Sequence, residues 1–91
     1  MASTVIITGA SQGIGKATAL RFAQNGYNLV LASRNVDRLN AAAEELKSIA
    51  PRVTAIPTDT RDPDQVKACI DQAISDYGLI DVLINNAGIY I

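Results

Sequence analysis

Short apolar runs alternate along the chain with stretches in which apolar residues recur every three to four positions. Val5 to Thr8, Asn28 to Ser33, Arg52 to Pro57 and Val82 to Asn85 are apolar or β-branched almost without interruption. Such continuous runs fit strands buried on both faces, as in a parallel sheet covered by helices. Between them, the helical period predicts helices over Gly13 to Asn25, Val36 to Ile49 and Pro63 to Tyr77. In the third helix Asp62 can cap the start, Pro63 suits the first helical position, and Gln65 stands where a capping box needs its return acceptor. Val66, Ile70, Ala73, Ile74 and Tyr77 then share one face with Cys69 beside them, and Gly78 follows as the stop. In the second, Asn35 is the cap, Leu39, Ala42, Ala43, Leu46 and Ile49 point inward, and Pro51 closes the element.

This rhythm predicts a βαβαβαβ chain with right-handed crossovers and strand order 3-2-1-4. It is part of an α/β, Rossmann-type doubly wound parallel sheet. A crevice is expected at the carboxyl ends of the strands between the first and fourth, where the strand order reverses. No linker, repeat or low-complexity stretch divides residues 1–91, which read as the N-terminal part of one domain.

Composition narrows the function. The 91 residues are 48% hydrophobic, enough for a packed core. Eight basic and nine acidic residues give a net charge of -1 with no run of Lys or Arg, so a nucleic-acid partner is not expected. No apolar stretch approaches the ~20 residues of a membrane helix, and Met1-Ala2-Ser3-Thr4 is not the start of a signal peptide. A soluble, cytoplasmic protein is expected, in keeping with the single Cys69, which cannot form an internal disulfide. Cys69 reads as a small apolar residue on the buried side of a helix in preference to a redox thiol. With no His, a zinc site is not expected. Glu44 and Glu45 are neighbours on a helix and cannot converge on one spot, so they belong to a solvated face.

The chemistry starts at "TGASQGIG", residues 8 to 15, directly after the first apolar run. A glycine-rich turn between a buried strand and a helix lets backbone N–H groups approach a pyrophosphate at the positive end of the helix dipole. Gly9 then makes the turn, Gly13 permits close approach of the phosphates, and Gly15 lets the helix lie tightly on the sheet. The plainer alternative is a tight connection with no ligand.

The spacing GxxxGxG, together with "NNAG" at Asn85, Asn86, Ala87 and Gly88, closely resembles the classical short-chain dehydrogenase/reductase family. The two motifs stand in the right order about 70 residues apart, and the resemblance covers the whole chain. It implies a nicotinamide dinucleotide cradled by Gly9, Ser11, Gln12, Gly13, Ile14 and Gly15. An acidic residue at the end of the second strand would accept bonds from the ribose hydroxyls of NAD, whereas Arg pairs with the 2′-phosphate of NADP. That position holds Ser33-Arg34-Asn35, with no carboxylate before Asp37. This resembles NADP-preferring members, with Arg34 as the phosphate partner and Ser33 and Asn35 as helpers. A surface Arg beside a helix cap is the alternative. By the same resemblance Asp59 accepts from the adenine amino group with the Thr60 backbone alongside, and Asn86, Ala87 and Gly88 pass beside the adenosine ribose. Asp59 as a mere loop organiser, and Asn86 as a tie for the fourth strand, stay open.

The family's catalytic Ser and Tyr-x-x-x-Lys have no counterpart here, so no catalytic residue is assigned. No tyrosine has Lys four positions on, and packing accounts for Tyr27, Tyr77 and Tyr90. The expected chemistry of the whole enzyme is hydride transfer between a nicotinamide and a carbonyl or alcohol substrate, in a homo-oligomer built through later helices. Three readings remain: the cofactor-binding half of an NADP-dependent oxidoreductase, a non-catalytic NADP(H)-binding or regulatory module, or a paralogue acting only in dimerisation. Val82, Leu83 and Ile84 should be buried, yet a chain ending at Ile91 leaves them on an open edge.

Overall fold

A computed structural model describes residues 2–10 and 13–86. The elements are β1 (Thr4–Thr8), α1 (Gly13–Gln24), β2 (Asn28–Ser33), α2 (Val36–Leu46), β3 (Val53–Pro57), α3 (Pro63–Tyr77) and β4 (Val82–Asn85). They form one parallel sheet in the order β3-β2-β1-β4, as the alternation predicts. Ile6 lies opposite Val30 on one side and Leu83 on the other, and Val30 lies opposite Thr54.

The alternation of side chains along each strand divides the core in two. Val5, Ile7, Leu29 and Leu31 meet Ala19 and Ala23 of α1 and Leu39, Ala43 and Leu46 of α2. Ile6, Val30 and Ala32 meet Cys69 and Ala73 of α3 on the opposite face. All five residues of β1 are buried, which is why this central strand reads as an uninterrupted apolar run. Gly15, Ala19 and Ala23 put one small residue per turn against the sheet, so α1 packs with little between its backbone and the strands.

Three expectations are corrected. α2 ends at Leu46, and Ile49 is 43% exposed, not inward. Ile49 N–H already bonds to the Leu46 carbonyl at 3.0 Å, three residues back, and the residue before Pro51 is disfavoured in helical conformation. Ala50 takes the buried position instead. Ile74 is 45% exposed because at 3.6 residues per turn it stands about 120° from the centre of the stripe formed by Cys69 and Ala73. The Gln65 side chain does not return to the Asp62 N–H; its Oε1 accepts from Asp59 N–H at 2.8 Å, and its Nε2 donates to Asp62 Oδ2 at 3.2 Å. β4 is the edge of the described sheet, the open edge expected above, with Val82 and Ile84 half-buried and Leu83 56% exposed.

β2, α3 and β4 keep the expected bounds, and one boundary each of β1, α1 and β3 shifts by one residue. Arg52, just before β3, already accepts the Leu29 N–H at 2.9 Å. Asp62 caps α3 by accepting from Asp64 N–H, Pro63 follows it, and Gly78 closes the helix at φ 84°. Tyr27 packs edge-to-face on Phe22, and the Tyr77 hydroxyl shares a 2.7 Å hydrogen bond with Thr54 beneath the Arg52 guanidinium. Tyr90 lies outside the described residues. No helix among the described residues is long and apolar enough to cross a membrane.

Candidate functional site

Parallel pairing puts the carboxyl ends of all four strands along one rim. Thr8 stands opposite Ala32 and Asn85, and Ser33 opposite Pro57, so the segments that follow each strand are neighbours. The Gly9 N–H bonds to the Ala32 carbonyl at 2.8 Å, and the Thr58 N–H to the Ser33 carbonyl at 2.9 Å. The glycine turn, Arg34, Asp59 and Asn86 thus sit on the same rim, with the β1/β4 reversal at its centre.

Three glycines shape the turn in different ways. Gly9 has φ 64°, the left-handed region that glycine enters without strain. Gly13 has φ 60°, and a Cβ built on it meets nothing within 4 Å among the described residues, so these leave space open over the first turn of α1. A Cβ on Gly15 would stand 2.0 Å from the Gly9 carbonyl oxygen, so its missing side chain lets the helix start against the turn itself. The first N–H groups of a helix have no intrahelical acceptor, so this helix start offers donors and a dipole suited to a pyrophosphate. Ile14 is 72% exposed at the same end. Ser11, Gln12, Ala87 and Gly88 lie outside the described residues.

Thr8 joins the turn to the fourth strand. Its hydroxyl donates to Asn85 Oδ1 at 2.9 Å and accepts from the Asn86 N–H at 3.1 Å. The Asn86 Nδ2 is buried without a hydrogen-bond partner among the described residues. Motif reading gave Asn86 a place but missed Thr8, whose partners stand 77 and 78 positions away and meet it only through strand register.

At the end of β2, Ser33 is half-buried and Arg34 is exposed. Asn35 caps α2 by accepting from Arg38 N–H at 3.0 Å, which occupies its side-chain oxygen locally. Asp59 is held by Arg61: Oδ1 accepts from Arg61 N–H and Nε at 3.0 and 3.1 Å, and Oδ2 accepts from Nη2 at 3.0 Å. These bonds, with a smaller contribution from the charge of Arg34, lower the Asp59 carboxyl from its ordinary 3.8 to about 2. Asp59 is therefore ionised at neutral pH, and the Arg34 charge lies close enough to be felt by it. Arg61 was passed over in the sequence although it follows Asp59 by two positions, the spacing at which an Asp side chain accepts from the backbone of a turn.

Below this loop, a cavity of about 160 Å³ is lined by Ile6, Thr58, Thr60, Cys69, Ile70 and Leu83, among others. Burial pushes the Cys69 thiol up, partly offset by a hydrogen bond with Thr58. The raised value and the apolar packing suit a core residue, not a reactive thiolate. No cluster of three or more metal-ligating side chains occurs among the described residues.

The sequence profile of the short chain dehydrogenase family matches residues 3–91. The chain belongs to that family. It is 40% identical over 90 residues to the 3-oxoacyl-(acyl-carrier-protein) reductase FabG of Staphylococcus aureus, covering 98% of this chain and 37% of the reductase. Among solved structures, L-sorbose reductase from Gluconobacter frateurii, complexed with NADPH and L-sorbose, superposes with a TM-score of 0.91 at 40% identity. That match covers 97% of this chain and 34% of the reductase. A xylitol dehydrogenase bound to NAD+ has a TM-score of 0.91 at 32% identity, over 96% of this chain and 34% of its own. The chain spans from 17% of the length of one curated relative it matches to 37% of another.

Proposed function

We propose that residues 1–91 hold the adenosine and pyrophosphate of NADP(H) in the cofactor-binding part of an oxidoreductase acting on a carbonyl or alcohol substrate. The observation that carries this reading is the pair of glycines at the start of α1. Open space over Gly13 and backbone contact at Gly15 leave room for a phosphate at the positive end of the helix dipole.

Gly9, Ser11, Gln12, Gly13, Ile14 and Gly15 would surround the pyrophosphate, and Asp59 with Thr60 would meet the adenine. Asn86, Ala87 and Gly88 would run beside the ribose. Arg34 would pair with the 2′-phosphate, helped by Ser33 and Asn35; its exposure at the end of β2 and the lack of a carboxylate there support NADP over NAD. When bound, the nicotinamide supplies the hydride acceptor or donor. The residues described here bind and orient, and the proton-transfer groups belong to other parts of the protein, which we expect to be a cytoplasmic homo-oligomer.

The test is Arg34→Asp in the protein at its natural length, with dissociation constants for NADPH and NADH. Hydrogen bonds to a charged group contribute about 1.5–3 kcal/mol, so NADPH should bind about ten- to a hundredfold more weakly while NADH is spared. Equal loss for both cofactors would contradict the assignment. Binding with no turnover of any carbonyl or alcohol would favour the non-catalytic module instead.

A further inference from the structure

We propose that Arg61 is a positioning residue that locks the Asp59 carboxylate so that it recognises a 6-amino purine and rejects a 6-oxo purine. The proposal rests on the placement of adenine at this loop made above. It adds a determinant of base specificity that the motif itself does not contain.

A carboxylate offers about four acceptor positions. Arg61 occupies three of them: two on Oδ1, through its backbone N–H and Nε, and one on Oδ2, through Nη2. A two-point side-chain contact in a fixed fork, added to the backbone bond, prevents the carboxylate from rotating. Gln65 fixes the same residue from behind by accepting the Asp59 N–H at 2.8 Å. The Asp59 side chain is 26% exposed and that of Arg61 67%, so the guanidinium lies on the outer side and the remaining acceptor is the second position on Oδ2.

One fixed acceptor selects between purines. The amino group of adenine donates to it. In hypoxanthine a carbonyl oxygen takes that place and meets the carboxylate as a second acceptor, while its ring N1–H is displaced to the side. A carboxylate free to turn can follow that N1–H and recover the bond. Arg61 forbids the turn, so discrimination depends on it although it need not touch the base.

The experiment measures, on the protein at its natural length, dissociation constants for NADPH and for its reduced hypoxanthine analogue, in the parent and in Arg61→Met, Arg61→Lys and Asp59→Ala. The same ratio taken with NADH and its hypoxanthine analogue makes the result independent of 2′-phosphate preference. The parent should prefer the adenine form about tenfold or more. Arg61→Met and Arg61→Lys should both bring the ratio within about threefold, since Lys keeps the charge but cannot span two oxygens. Asp59→Ala should abolish the preference. If Asp59→Ala lowers the ratio and both Arg61 variants keep it, Arg61 does not position the carboxylate and the proposal falls alone. If Asp59→Ala leaves the ratio unchanged, the placement of adenine at Asp59 falls with it. Parallel loss of affinity for both analogues in the Arg61 variants, at constant ratio, would reduce Arg61 to a structural brace and overturn the proposal.

Discussion

Gly15→Ala is the sharpest perturbation of the turn. The added Cβ would lie 2.0 Å from the Gly9 oxygen, 2.7 Å from the Gly9 carbonyl carbon and 3.1 Å from the Ala10 Cα. All three are backbone atoms, so no side-chain rotation relieves the clash. To restore an ordinary contact of 3.4 Å, the first turn of α1 must move about 1.4 Å from the end of β1. Overpacking of this kind costs about 1–3 kcal/mol or more, and the gain of up to ~1 kcal/mol in helix propensity offsets only part of it. A net loss of about 2 kcal/mol lowers the melting temperature by about 4–8 °C in a protein of about 150–250 residues. The same shift draws the N–H groups away from the pyrophosphate, so NADPH affinity should fall together with stability. Gly26→Ala is the control. Its φ is 82°, its surroundings are open, and it precedes β2 at the opposite end of the strands, so it should cost about 1–2 kcal/mol and leave affinity unchanged. Thermal unfolding and NADPH titration read both effects. Parent-like stability and affinity in Gly15→Ala would refute the close-packing argument.

Two further outcomes follow from the rim. Thr8→Val removes a hydroxyl that bonds Asn85 and the Asn86 N–H, leaving part-buried polar groups unpaired, and should cost about 1–3 kcal/mol in urea unfolding; Thr8→Ser should retain most of that stability. For Asp59 the folded-state pKa of about 2 lies below the ordinary 3.8, so its contribution is complete above about pH 4 and is lost as pH falls toward 2. The difference in melting temperature between the parent and Asp59→Asn should therefore be constant near neutrality and shrink below pH 4; a difference independent of pH would count against the Arg61 pairing.

The order of elements was legible because local signals agree with the fold. β1 is central and covered on both faces, so its apolar run is unbroken, and α3 carries its start and stop in Asp62, Pro63 and Gly78. Ile49 misled because hydrophobicity argues for burial, while the turn before Pro51 gives the buried place to Ala50. Gly9 and Gly15 were legible individually, since the turn requires a positive φ at one and backbone contact at the other. Thr8 was not, because its partners are set by the pairing of β1 with β4, and that register is a property of the assembled sheet. Arg61 was hidden for another reason: two residues apart in a loop, it reaches Asp59 only because the Asp59 carboxylate also accepts its backbone N–H.

The central claim is that a nicotinamide dinucleotide lies across the carboxyl ends of these strands. The most direct measurement is an amide chemical-shift titration of the isotope-labelled protein, at its natural length, with NADPH. Saturable shifts are expected at Gly9, Gly13, Ile14, Gly15, Arg34, Asp59 and Asn86. No shift at these amides, or shifts confined to Asn25 through Tyr27 at the opposite end of the sheet, would contradict it.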